Sequence, residues 1–372
     1  MARKIKGVQL EEKIERILQN VKPLDRTAMD AAAKHQSRLA KPPGSLGKLE
    51  DISIRFAGIT GKLYNAINHS RIIVFCADNG VVDEGVSCAP QTVTAAQAVN
   101  MTKGLTGMSA MARYFGCELV VVDVGIKTSY RCAAVRDCNI AKGTKNLAEE
   151  PAMTREETVR AILTGTGIAS EAAQDGMDVI GIGEMGIGNT TTSSAVLAAL
   201  TGLQVETVTG RGGGVTDEGF KKKKEVIENA LKLHEPDAGD PIDVLSKVGG
   251  LDLAAMCGAF IGAAACRMPV VIDGYISIVA ALCAARLCPD AAGYFFPSHC
   301  SYEIGYNAAA KELGFDPWLD LDMRLGEGSG CPLAFEVISA ACAVMNGMAT
   351  FEGASINDSY LDEIRKKDNF SV

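Results

Sequence analysis

A chain of 372 residues exceeds the size at which one simple core is usual, so two domains, or one large α/β domain with an appendage, are expected. Apolar residues make up 47%, with 39 glycines and a single tryptophan, which suits an α/β enzyme of small, closely packed side chains. The net charge of −8 implies no basic face for nucleic acid, and the one basic run, residues 221–224, leads into Glu225 as a solvated helix start.

The first twenty residues read as a charged amphipathic helix without the apolar region of a signal peptide. One helix is expected over residues 1–24 and a second over 26–39. Lys41-Pro-Pro-Gly-Ser-Leu-Gly47 is a loop, since two prolines and two glycines forbid a regular element. A helix follows over 49–60. Residues 71–77 form a continuous apolar run of strand type ending at Asp78-Asn-Gly80. Next come a helix over 94–115, a strand over 118–124 and a helix over 154–175. Strands at 177–182 and 205–208 flank a Thr/Ser/Ala-rich helix, and a strand at 269–272 ends in Asp273-Gly274. Residues 251–288 are apolar, but Asp252, Arg267, Pro269 and Asp273 interrupt them, so they read as buried helix, strand and helix rather than a membrane span.

Alternating strands and helices imply a Rossmann-like parallel sheet with helices on both faces and ligands at the carboxyl ends of strands. Asp78, Asp123, Glu184 and Asp273 stand at those ends. The helices at both chain ends lack partner strands. Residues 1–60 with about 335–372 are therefore expected to form a small helical domain beside an α/β domain over 61–334. The twelve cysteines include no C-x-x-C pair and the four histidines are scattered. They read as buried thiols in a reducing compartment, with no metal site, in a cytoplasmic protein.

Three glycine-rich stretches carry the chemistry. In Arg324-Leu-Gly-Glu-Gly-Ser-Gly330, Glu327 stands between two glycines that let the backbone approach a ligand. Partial dehydration there would raise its pKa toward the range of a general base. The same pattern would also serve a turn whose Glu complements a helix dipole. Gly181-Ile-Gly-Glu-Met-Gly-Ile-Gly188-Asn-Thr-Thr191 follows a strand and opens a helix. Gly181, Gly183 and Gly186 satisfy G-x-G-x-x-G, with Glu206 where a dinucleotide fold places an acid. Glu184 inside the turn would repel a pyrophosphate, so one phosphate on the amides near Gly188 and Asn189 is physically easier. Thr209-Gly-Arg-Gly-Gly-Gly-Val215 is a further glycine loop, with Lys223 a few turns on as a phosphate counter-charge. His299, in Ser298-His-Cys-Ser301, suits either an acid–base or a structural role.

Lys41-Pro-Pro-Gly-Ser-Leu-Gly47, Glu84-Gly-Val-Ser87, Gly183-Glu-Met-Gly-Ile-Gly-Asn-Thr-Thr191, Val248-Gly-Gly-Leu-Asp252 and Arg324-Leu-Gly-Glu-Gly-Ser-Gly330 together resemble the nicotinate-nucleotide–dimethylbenzimidazole phosphoribosyltransferase family, in order from about residue 24 to 353. The resemblance implies a Rossmann-like domain, a small helical domain from both termini, and a dimer. It implies transfer of 5-phosphoribosyl from nicotinate mononucleotide to a cobamide lower-ligand base, giving the α-ribotide, with no cofactor and no metal. Glu327 then matches the catalytic base, and Glu184 and Lys223 the active-site carboxylate and lysine. Gly186, Gly188, Asn189, Gly212, Gly214, Gly274 and Ser301 match ribose-phosphate contacts. Ser87, Cys88, Ala89 and Gln91 fall in the acceptor-binding segment.

Departures from the family pattern are Asn79 for a usual His, Gly213 for Thr, Tyr306 for His, and no aromatic residue after Ser87. They put the acceptor in question, with phenols used through a heterodimer of paralogous chains as one possibility beside a homodimer. Two other readings stand beside this one. They are a subunit whose partner carries the chemistry, and an NAD-dependent oxidoreductase resting on Gly181, Gly183 and Gly186.

Overall fold

The computed structural model describes residues 2–362. Its centre is a six-stranded sheet in the order β3-β2-β1-β4-β5-β6, parallel throughout. The strands are β1 (Ser70–Ala77), β2 (Glu118–Gly125), β3 (Arg136–Asp137), β4 (Val179–Met185), β5 (Val270–Ile272) and β6 (Phe295–Pro297). Strand order reverses between β1 and β4, which opens a crevice at their carboxyl ends. The expected α/β class is observed. β1 is buried from Ile72 to Ala77, as a strand covered on both faces must be.

Two expectations are corrected. Residues 205–208 form a short helix, Val205–Val208, not a strand. Val205 and Val208 are buried while Glu206 and Thr207 are exposed, a spacing of three that one helical turn satisfies and a pleated strand does not. The single helix expected over 94–115 is two, Thr92–Thr102 and Gly107–Phe115. Gly104 breaks it with φ +75°. Thr106 then caps the second helix in a reciprocal box with Ser109.

Helix Cys331–Gly347 lies over β4, close enough that a methyl on Gly181 would stand 2.6 Å from Cys331 Sγ. It also packs on Lys48–Thr60, where Ala32, Ala57 and Met345 form a small core of their own. Ile14, Phe56 and Ile338 from the terminal helices join the main core with the sheet. The end of the proposed helical domain, residues 363–372, lies outside the described residues. No described helix is long and apolar enough to cross a membrane.

Candidate active site

A cavity of about 270 Å³ lies beyond the carboxyl ends of β4 and β5. Glu327 and Glu184 share its wall. Glu327 sits in a left-handed turn, with φ of +81° at Gly326, +63° at Glu327 and +84° at Gly328. A non-glycine residue in that region is strained and marks a position held by its surroundings. Two contacts do the holding. A methyl on Gly183 of β4 would stand 2.6 Å from the Glu327 carbonyl carbon, so the strand backbone backs the turn directly. Asp273 accepts from Gly328 N–H at 3.0 Å and from Gly330 N–H at 2.6 Å.

The broken helix supplies the third element. Met108 N–H, in the first turn of Gly107–Phe115, donates to Glu327 Oε2 at 3.3 Å. Burial raises the Glu327 pKa, while that amide and the Thr106 hydroxyl favour the charged form. Glu184 is more confined. Burial, followed by the charges of Asp252 and Asp273, pushes it up to about 8, with the Asn189 amide opposing as it donates to Glu184 Oε2. Burial also lifts Asp273 to about 7 and Asp252 to about 6. The two carboxyls on one wall are both raised by burial but differ in the groups that oppose the shift. Glu184 keeps its proton, and Glu327 has a helix N-terminus on which to lose its own.

The wall expected to receive phosphate is made of backbone. Gly188, with φ +94°, turns the chain into helix Asn189–Thr201, whose first residues line the cavity with Gly186. Gly212 (φ +60°) and Gly214 (φ +114°) bring the next loop to the same wall. A methyl on Gly212 would be 2.6 Å from Thr190 Oγ1. Loop and helix N-terminus therefore converge, the arrangement that receives anions. Gly274 and Ser301 also line the cavity. Lys223 does not. It is fully buried behind the loop, donating to Thr190 Oγ1 at 2.8 Å and Gly210 O at 3.0 Å. Burial lowers its pKa to about 8, with Glu303 opposing.

Ser87 and Ala89 line the cavity, while Cys88 is exposed and Gln91 stands off the wall. Gln91 ties the segment to the end of β1 through Nε2 to Asn79 O, at 2.9 Å. Of the departures, only Gly213 lines the cavity; Asn79 and Tyr306 are buried away from it. Sequence reasoning missed Glu303, Arg211 and Arg324, all lining residues. Arg211 and Arg324 stand inside glycine motifs already marked, and Glu303 lies two residues beyond Ser301. His299 lines the cavity with its pKa lowered to about 4 by burial, so it is neutral.

The dinucleotide fingerprint has another use. Gly181 faces Cys331, Gly183 faces the Glu327 turn, and a methyl on Gly186 would stand 2.6 Å from Asp252 Oδ2. All three glycines admit protein, not pyrophosphate. Glu206, on its exposed helical turn, ends no strand.

A family profile described as phosphoribosyltransferase matches residues 21–356. The nicotinate-nucleotide–dimethylbenzimidazole phosphoribosyltransferase of Clostridium perfringens is 50% identical over 359 residues, spanning 96% of this chain and 99% of that protein. The chain belongs to the nicotinate-nucleotide–dimethylbenzimidazole phosphoribosyltransferase family. The Acetivibrio thermocellus protein of that name is 47% identical, covering 91% of this chain and 97% of its own length. The crystal structure of the Thermus thermophilus phosphoribosyltransferase superposes with a TM-score of 0.86 at 36% identity, over 90% of this chain and all of that one. The protein is a pentosyl-transferring enzyme, as the five motifs implied.

Proposed function

We propose that the enzyme transfers 5-phosphoribosyl from nicotinate mononucleotide to an aromatic lower-ligand base, releasing nicotinate and forming the α-ribotide. The observation carrying this reading is one cavity that holds a helix-anchored carboxylate, Glu327, together with an anion cradle of helix N-terminus and glycine loop. The phosphate rests on the amides around Gly188, Asn189, Gly212 and Gly214. Lys223 acts through that loop, drawing the Gly210 carbonyl back so that amides face the phosphate.

An azole acceptor attacks C1′ through one ring nitrogen and must lose the proton on the other. Glu327 takes it. The C1′–N bond to nicotinate breaks, its electron pair returns to the pyridine, and the anomeric centre inverts. The donor carries a pyridinium, and a cation beside Glu184 lowers the carboxyl's pKa. Glu184 then ionises when the donor binds and stabilises the positive charge that passes to the ribose in the transition state.

The acceptor is a benzimidazole or related azole, and the small side chain of Ala89 on the cavity wall favours a broader range that includes phenols. The chain acts as a dimer, with itself or with a paralogue, in the cytoplasm, where its cysteines remain thiols. The test is the purified chain alone with nicotinate mononucleotide and a panel of benzimidazoles, adenine and phenols, reading nicotinate and ribotide. Failure to form ribotide from any acceptor in the panel, or activity only after adding a paralogue for every acceptor, would overturn the reading of a self-sufficient active site.

A further inference from the structure

Asp273 ends β5 and is 2% exposed. Its own backbone is pinned from both sides. Its N–H donates to Ser277 Oγ at 3.2 Å, and its carbonyl accepts from Ser298 Oγ at 3.0 Å. The carboxylate is engaged by another segment: each oxygen takes one amide, Gly328 at 3.0 Å and Gly330 at 2.6 Å, with the Gly274 and Ser329 amides also directed at it. Those amides close the turn that holds Glu327 at a φ of +63°. An unbranched L-residue leaves that region unless something over-determines it.

We propose that Asp273 is a positioning residue for the transfer, its carboxylate clamping the turn left-handed so that the Glu327 carboxylate is aimed at the acceptor. The inference rests on the reading of Glu327 as the base. Asp273→Asn is the informative change, because it keeps the size and turns one acceptor into a donor facing an N–H. The turn relaxes, and Glu327 moves off its line. A displacement of about 1 Å from the productive geometry costs on the order of a hundredfold in rate.

A second consequence is electrostatic. The Asp273 charge opposes ionisation of Glu327, and Glu184 and Glu327 oppose one another's, whereas His299 is neutral there. Removing that charge lets Glu327 ionise at lower pH. The acid limb of the rate profile then moves to lower pH even as the maximum falls, which a general loss of packing would not produce.

The experiment compares wild type, Asp273→Asn, Glu327→Gln and the double variant, with nicotinate mononucleotide and dimethylbenzimidazole across pH. Asp273→Asn is expected to lower kcat by roughly 10–100-fold, to leave the KM for nicotinate mononucleotide within about 3-fold and to shift the acid limb downward. The double variant is expected to be no slower than Glu327→Gln, within about 3-fold, because both changes remove one device. Unaltered kcat in Asp273→Asn, or losses that multiply in the double variant, overturn the clamp while leaving the base intact. A fully active Glu327→Gln overturns the base and the clamp together. Should Asp273→Asn fail to fold, glycine-labelled wild type answers by NMR. The Gly328 and Gly330 amide signals must titrate together with the same midpoint; independent or flat titrations overturn the proposal.

Discussion

The turn at 326–330 and the segment at 86–91 face the same cavity and are built in opposite ways. In the turn, Glu327 is 4% exposed and Ser329 1%, and Asp273, Met108 and the backbone of β4 each hold it from a different element. In the segment, Cys88 and Pro90 are exposed. Its internal bonds are a Ser87 hydroxyl with the Ala89 amide at 3.3 Å and the Ala89 carbonyl at 3.5 Å. On the proposed mechanism, held geometry lies where a proton must move, and looseness lies where the acceptor enters. The two regions should therefore respond to substitution in different observables, rate for one and selectivity for the other.

The largest expected effect is at the turn. Glu327→Gln should lower turnover of azole acceptors by about 10²–10⁴-fold, with nicotinate mononucleotide binding retained within a few-fold; retention of most activity would assign Glu327 to the loop's shape alone. Lys223→Met comes next. Loss of a buried charge-assisted contact behind the cradle contributes roughly 1.5–3 kcal/mol, so KM for nicotinate mononucleotide should rise by one to two decades while acceptor affinity holds. Equal loss for both ligands would point to a collapsed loop instead.

Glu184 offers a test of the buried carboxyls by pH. Its folded pKa, about 8, lies above the ordinary 4.5, so between those values the folded state binds more protons than the unfolded. Its contribution is complete below about pH 4.5 and is lost as pH rises through 8. The ligand-free protein should melt at progressively lower temperature from pH 5 to pH 8, and Glu184→Gln should flatten that decline. Donor binding at pH 7 should also release protons, seen as a buffer-dependent enthalpy in calorimetry. Proton uptake, or none, would mean that the pyridinium does not come to Glu184. The smallest effect concerns the loose segment: Ala89→Tyr should narrow the acceptor range by several-fold in relative kcat/KM, with the rate on the best acceptor little changed. An unaltered acceptor profile would take the segment out of the pocket.

What could be read from the residues alone follows the same division. The runs in β1, β2, β4 and β5 announced themselves because strands buried on both faces are continuously apolar. The two-residue β3 and three-residue β6 carry too few side chains for any period to show. Val205 and Val208 looked like a strand because β-branched residues favour one, and burial on a single helical turn overrode that preference. Glu327 was legible through its flanking glycines. The Asp273 clamp was not, since it joins β5 to a turn 55 residues later. Lys223 was visible as a cation but not as one placed behind the wall, because depth is a property of packing.

One consequence concerns the order in which the chain is made. All six strands are complete once Pro297 has been added, yet the atoms nearest Gly181 and Gly183 on β4 belong to Cys331, Phe335 and the turn that follows Gly326. Synthesis runs from the N-terminus, so a growing chain presents a nearly finished sheet with a side-chain-poor strip along β4, beside Ile72 and Val74 of β1. That strip is where the last helix docks. The carboxylate proposed as the base therefore enters with the segment that seals the sheet, so the site and the last of the core are completed together.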